Sequence, residues 1–154
     1  SLKICINAAY NHVFGNYKLM EAERSIEAER RLRNGDLNVR EFIRHIVQSS
    51  FYKEVYYQKL SQLKYINLIF KHVLGRPPLS QNEIIKNIEV IHQEGINHQI
   101  DCLIDSLEYE ENFGDHIVPF MRSWDSSCGL YTSSFMKTIK SRKYFASSDN
   151  LIKY

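Results

Sequence analysis

Phe70-Lys71-His72-Val73-Leu74-Gly75-Arg76-Pro77-Pro78-Leu79-Ser80-Gln81-Asn82-Glu83 ends one helix, turns, and starts another within fourteen residues. Ile66, Ile69, Phe70, Val73 and Leu74 recur at spacings of three and four, as the buried stripe of a helix must. Gly75 can take the left-handed conformation past the helix end, and Pro77 and Pro78 forbid continuation. Ser80 followed by Glu83 has the form of a capping box, so a new helix is predicted from Gln81. The stretch is a corner between two helices.

The corner recurs upstream. His12-Val13-Phe14-Gly15 matches His72-Val73-Leu74-Gly75 at an offset of 60, with Tyr10 answering Phe70. Gly35 and Gly95, each after a helical run (19–33 and 84–94), keep that offset. Each half then closes on a Ser-x-x-Tyr step, Ser49 to Tyr52 and Ser106 to Tyr109, after a slip of three. The pattern predicts an internal duplication. Chance reuse of glycine turns by helical hairpins is the competing account.

The 154 residues, 44% hydrophobic and 25% charged, suffice for one globular core. No apolar run approaches the ~20 residues of a bilayer span, and the chain opens on helix-like sequence without a signal-peptide pattern, so neither insertion nor secretion is expected. The abrupt start suggests an excised chain. Cys5, Cys102 and Cys128 are odd in number and lack CxxC spacing, which argues against a zinc box or disulfide frame and fits a reducing compartment. Charge alternates in blocks, +3 over residues 1–60, −4 over 61–122 and +3 over 123–154. Such blocks suit a molecule docking between other proteins, or equally a solvated surface.

Taken in order, residues 3–14 read as a helix with Ile4, Ala8 and Val13 inward. Residues 20–33 form an exposed helix with Glu27 and Arg31 four apart, in which Leu19, Ile26 and Leu32 seek a core. Asn38 caps a helix whose Val39, Phe42, Ile43, Ile46 and Val47 trace one apolar face. A short helix over 50–58 follows, then the helix entering the corner after Ser61. Residues 81–94, 97–105 and 107–112 complete the helices, with Ser106 capping the last. Residues 123–154, serine-rich around a basic stretch at 137–143, read as an extended tail.

Chemistry is sparse. His12 and His72 sit at helix ends, where an imidazole can cap terminal carbonyls. His92 and His98 lack metal-site spacing, and no nucleophile elbow, phosphate loop or dinucleotide motif is present. Asp101, Asp105, Glu108, Glu110 and Glu111 read as a solvated face rather than a catalytic pair. Ten tyrosines and eight phenylalanines exceed what one core obviously needs. A surface share of them would favour binding.

These residues resemble a known family, the linker polypeptides of phycobilisomes, the antennae of cyanobacteria and red-algal plastids. The similarity rests on Val13-Phe14-Gly15-Asn16, Met20-Glu21-Ala22-Glu23-Arg24, the block from Leu32-Arg33-Asn34-Gly35-Asp36 to Glu41-Phe42-Ile43-Arg44, the Phe70 to Pro78 corner, Ile104-Asp105-Ser106-Leu107-Glu108-Tyr109, and Val118-Pro119-Phe120. Asn67, Ile69 and Ser123-Trp124 depart from the family pattern. The resemblance implies a non-catalytic, all-α linker domain over 1–122, with two pseudo-repeats of helical hairpins and a basic tail over 123–154. It would lie in the central cavity of phycobiliprotein trimers or hexamers and join them into the light-harvesting antenna on the stromal or cytoplasmic face of the thylakoid membrane. It would bind no bilin covalently and would tune the bilins of its partners, allophycocyanin or phycocyanin and phycoerythrin. A core-membrane linker repeat is favoured over a rod linker. Tyr52, Tyr56, Tyr57, Phe113 and Phe120 are the expected bilin-proximal residues, with Tyr52 and Tyr56 also readable as core. Lys53, Arg76, Arg122, Trp124, Lys137, Lys140, Arg142 and Lys143 are the expected partner contacts. The rival reading is a helical nucleic-acid-binding module using the basic helix from Arg24 to Arg33 and the tail.

Overall fold

The computed structural model describes residues 2–15 and 24–122. The chain divides into two units, Ser1–Phe120 and Met121–Tyr154. Of the second, only Met121 and Arg122 are described.

The first unit is all-helical among the described residues: α1 (Leu2–Phe14), α2 (Ile26–Arg33), α3 (Val39–Val47), α4 (Ser50–Tyr52) running into a π-helical turn (Lys53–Gln58), α5 (Gln62–Leu74), α6 (Gln81–Glu94), α7 (Ile96–Ile104) and α8 (Leu107–Asn112). Local chemistry sets most boundaries. The side chains of Asn38, Ser49, Ser61, Ser80 and Ser106 accept the backbone N–H three residues on, each worth about 1 kcal/mol to its helix. Gly75 ends α5 in the left-handed conformation at φ 75°. The Ser80 cap is not fully reciprocal. Glu83 N donates to Ser80 Oγ at 3.3 Å, but the Glu83 carboxylate accepts from Leu79 N at 2.7 Å and turns toward Arg76.

The duplication is visible in element order and in the lengths of two helix pairs, although α2 has eight residues and its counterpart α6 fourteen. Helices α1 and α5 both span thirteen residues and α3 and α7 nine. The closing steps agree atom for atom. Ser49 Oγ donates to Ile46 O and accepts from Tyr52 N, while Ser106 Oγ donates to Leu103 O and accepts from Tyr109 N, both donations being 2.7 Å. Repeat-mates also meet. His12 touches His72, and Arg44 touches Asp101, residues that correspond under the offsets of 60 and 57. Contact between equivalent residues is what a local two-fold relation between halves produces.

The core is drawn from both halves: Tyr10, Val13, Phe42, Ile43 and Ile46 from the first, Tyr65, Ile69, Phe70, Ile100, Ile104 and Tyr109 from the second. Helix α7 packs on α3, α5, α6 and α8 and so ties the halves together. The α3 face is buried as predicted. Helix α1 is rotated from its expected face: Ile4 and Ala8 are exposed, and Ile6, Ala9, Tyr10, Val13 and Phe14 are buried. The reason is aromatic packing, since Tyr10 meets Phe42 edge-on at 5.9 Å and Phe14 meets Phe51, Tyr52 and Tyr56. Helix α2 begins at Ile26, later than expected, with Ile26 exposed and Leu32 buried; Leu19 lies outside the described residues.

Candidate docking site

Two buried ion clusters brace the fold. In the first, Glu29 accepts from Tyr10 Oη at 2.7 Å and from Arg24 Nε and Nη2 at 2.9 Å, while Arg24 lies over the Tyr10 ring. Burial, together with this carboxylate, pushes the Tyr10 hydroxyl up to about 12. In the second, Arg76 donates to Glu108 through Nε at 2.6 Å and Nη2 at 2.8 Å, and to Glu83 through Nη1 and Nη2 at 3.1 and 2.8 Å, while covering the Phe70 ring. Arg76 was expected to face a partner. It is instead 3% exposed, because the turn after Gly75 points its fork inward between α6 and α8.

Of the acids read as a solvated face, Asp101, Asp105 and Glu110 have partners in the other half. Arg44 pairs with Asp101 and Asp105, both at 2.6 Å, and with Glu41, and Arg40 pairs with Glu110 and Asp115. Part of the block alternation of charge is thus satisfied within the fold. Arg24 and Arg33 are engaged by Glu29 and Arg30 by Glu27, which removes much of the cationic helix on which nucleic-acid binding would depend.

The junction of the halves is polar and aromatic. His12 Nε2–H donates to the His72 carbonyl at 3.0 Å, so it caps the last turn of α5 rather than its own helix. His72 does not cap; its Nδ1 lies 2.8 Å from Tyr52 Oη. Burial lowers His12 to about 4 and His72 to about 3, with the neighbouring His12 and Lys71 adding to the latter. Both rings are therefore neutral at pH 7 and meet the helix end as hydrogen-bonding groups, not as charges. Tyr56 Oη donates to Val13 O at 3.2 Å.

The π-helical turn was not legible as such; the sequence read as ordinary helix over 50–58. Its wider turn lets consecutive tyrosines serve different neighbours, Tyr56 packing on Phe14 and His72, and Tyr57 meeting Tyr65 edge-on at 5.1 Å. Of the expected bilin-proximal residues, Tyr52 and Phe113 are enclosed, so neither presents a ring to another molecule. Tyr56 and Tyr57 are partly buried, and Phe120, 36% exposed, stacks its edge on Phe113. Lys53 is partly exposed beside Tyr57 in the π turn. Arg122 falls in the second unit, while Trp124, Lys137, Lys140, Arg142 and Lys143 lie outside the described residues.

Sequence reasoning missed Glu29. It falls on the stripe of Ala28 and Leu32, a spacing that places a charge on the buried face of α2 and calls for partners there. No group of three or more metal-ligating side chains, and no helix long and apolar enough to cross a membrane, occurs among the described residues.

The phycobilisome linker polypeptide family model matches residues 1–122. The chain is 40% identical over 144 residues, 94% of its own length, to the 32.1 kDa phycocyanin-associated rod linker polypeptide of Mastigocladus laminosus, covering 50% of that protein. It is 37% identical over 97% of its length to the phycoerythrocyanin-associated 34.5 kDa rod linker of the same organism, covering 53% of it. Against the phycoerythrin class 2 gamma subunit, a linker polypeptide of Synechococcus sp. (strain WH8020), identity is 42% over 88% of the chain and 46% of the relative. The chain thus spans about half the length of these relatives. Rod linkers lend no support to the expected core-membrane type or to allophycocyanin as partner, and nothing here supports the nucleic-acid reading. With a family match over 122 of 154 residues, the chain belongs to the phycobilisome linker polypeptides, a structural and non-catalytic family.

Proposed function

We propose that this chain works as a rod linker: residues 1–122 form a domain seated in the central cavity of phycobiliprotein trimers or hexamers of the phycocyanin or phycoerythrin kind, joining them within the phycobilisome at the thylakoid surface. The observation that carries this reading is the rod-linker identity of its relatives at about 40% over nearly the whole chain. The domain holds no bilin covalently and acts on those of its partners through packing and local charge. Tyr57, with Lys53 one turn away, is the leading candidate for that effect, and Phe120 is the second. The basic residues Lys137, Lys140, Arg142 and Lys143, with Arg122 and Trp124 at the start of the tail, reach a neighbouring disc.

Reconstitution tests each element separately. The chain, mixed with phycocyanin trimers, is expected to drive hexamer or rod assembly and shift the absorption maximum. Failure to associate overturns the linker reading. Tyr57→Ala is expected to assemble normally with a smaller shift, and an unchanged spectrum removes Tyr57 from tuning. A chain ending at Arg122 is expected to bind a single disc without stacking; equal stacking would show that the tail is no bridge.

A further inference from the structure

Asn34-Gly35 is the one place in the chain where an asparagine precedes a glycine. It closes α2, and both residues are exposed. Elsewhere asparagine side chains are tied down: Asn38 accepts from Glu41 N, and Asn67, Asn87 and Asn112 each donate to the carbonyl four residues back. The Asn34 carboxamide makes no hydrogen bond among the described residues. The main-chain nitrogen after an asparagine reaches the side-chain carbonyl most readily when the next residue lacks a side chain to shield it. Gly35 supplies that close approach in open space, since even an added Cβ there would meet nothing within 4 Å. One restraint opposes ring closure. The Gly35 N–H is donated to Leu32 O at 3.2 Å and Asn34 holds ψ at −6°, which directs that nitrogen away from the carboxamide. Both features belong to the last turn of an eight-residue helix, an exposed end of the kind that frays and opens locally.

We infer that Asn34 is a self-modification site of the folded chain, converted to aspartate and isoaspartate through a cyclic imide at a rate set by opening of the α2 end. The Gly35 nitrogen, giving its proton to hydroxide, bonds to the Asn34 side-chain carbonyl carbon and closes a five-membered imide. The bond to the side-chain nitrogen breaks, and that nitrogen takes a proton from water and leaves as ammonia. Water then opens the ring. Cleaving the newly formed bond gives aspartate, and cleaving the original peptide bond gives isoaspartate, with the main chain rerouted through the side chain. The two products load the fold differently. Position 94, the counterpart of 34 in the second half, carries Glu before Gly95 at the end of α6, so this frame accommodates a carboxylate there. Isoaspartate instead adds a methylene to the main chain beside the turn in which Asp36 N and Leu37 N both donate to Arg31 O, at 2.8 and 3.3 Å. That unseats the connection of α2 to α3. The second half is spared, because the longer Glu94 side chain closes no five-membered ring and carries no ammonia to release.

The test incubates the full chain in mildly alkaline buffer, folded and in urea, and follows each asparagine by peptide mass mapping. Isoaspartate is counted by methyl transfer from an isoaspartyl methyltransferase. The folded chain is expected to accumulate aspartate and isoaspartate at position 34 before any other asparagine changes, and urea to speed the conversion at least about tenfold. Asn34→Gln should leave position 34 unmodified. Chain enriched in isoaspartate should melt below the parent while Asn34→Asp melts with it, which separates the altered backbone from the added charge. A folded chain that keeps Asn34 intact while the unfolded chain is fully converted would overturn the assignment, as would earlier modification of another asparagine. Equal rates with and without urea would overturn control by the α2 end. A melting loss in Asn34→Asp as large as in the isoaspartate form would overturn the backbone account of the damage.

Discussion

In the first half the enclosed member of the ion cluster is an acid, Glu29, and its arginines Arg24 and Arg33 are 31% and 50% exposed. In the second it is a base, Arg76, and its glutamates Glu83 and Glu108 are 33% and 30% exposed. Both arrangements place a guanidinium over the equivalent aromatic ring, Tyr10 or Phe70. The duplicated backbone frame has kept its glycine turns and the Ser49 and Ser106 caps while the sign of the buried charge has reversed. The reach of the two clusters differs as well. Arg24 and Arg33 are sequence neighbours of Glu29, and only Tyr10 brings in another helix, whereas Arg76 grips α6 and α8 from the end of α5.

That difference predicts unequal mutational costs. Arg76→Met should destabilise the domain by about 3 kcal/mol, since it leaves two half-enclosed carboxylates facing each other without their shared partner. Arg76→Lys should recover little, because an ammonium cannot reproduce the bidentate fork. Glu29→Gln should cost only about 1 kcal/mol, as both arginines can turn to water and the amide can still accept from Tyr10. Urea denaturation of the three variants checks the order. Equal losses at Glu29 and Arg76 would mean that the clusters are interchangeable.

The two glycine corners allow a second comparison. Gly15 and Gly75 both have positive φ, 60° and 75°, but Gly15 is exposed and Gly75 is buried before Arg76. Gly75→Val should cost about 1–3 kcal/mol, from left-handed strain on a β-branched residue. Gly15→Ala should cost less, since an added Cβ there meets nothing within 4 Å. A parental melting temperature for Gly75→Val would show that the corner relaxes.

Features governed by a few consecutive residues were legible. Asn38, Ser80 and Ser106 cap the helices they were read to cap, and the α3 face follows from periodicity alone. What failed depended on residues distant in sequence. Helix α1 offers two usable apolar stripes, and Phe42, 32 positions after Tyr10, decides between them. Arg76 before a proline reads as a surface cation until Glu108, another 32 residues on, folds over it. The π turn has no composition of its own and follows from the packing demands of Tyr56 and Tyr57 on opposite neighbours.

Acid should act on the seam between the halves. His12 and His72 have folded-state values near 4 and 3, below the ordinary 6.5. Between these limits the unfolded chain binds more protons than the folded one, so stability is complete above pH 6.5 and falls as pH drops toward 4. One histidine carrying its full shift removes about 1.4 kcal/mol per pH unit, or about 2 kcal/mol between pH 6.5 and 5. The groups facing the pair are the Tyr52 hydroxyl, the Tyr56 ring and the Lys71 cation, and among the described residues no carboxylate hydrogen-bonds to either imidazole. A variant with His72→Phe should show a flatter pH profile over this range. An unchanged profile would place the acid sensitivity elsewhere.

The smallest effect is the most discriminating between the halves. Tyr52 and Tyr109 occupy the same position after the same serine cap, and both are fully buried. The Tyr52 hydroxyl meets His72, whereas the Tyr109 hydroxyl has no hydrogen-bond partner among the described residues. Arg40 lies over the Tyr109 ring without bonding its oxygen. Removing a paired hydroxyl strands its partner, and removing an unpaired one relieves a desolvated dipole. Tyr52→Phe should therefore cost about 1–2 kcal/mol and raise the His72 titration point, since the ring loses a donor that holds it neutral. Tyr109→Phe should be neutral or stabilising by up to about 1 kcal/mol. Both shifts are measurable by urea denaturation at pH 7.5, where neither histidine is charged. Loss of 1 kcal/mol or more in Tyr109→Phe would reveal an ordered water serving that hydroxyl, and would make the two halves alike at their tyrosines as they already are at their caps.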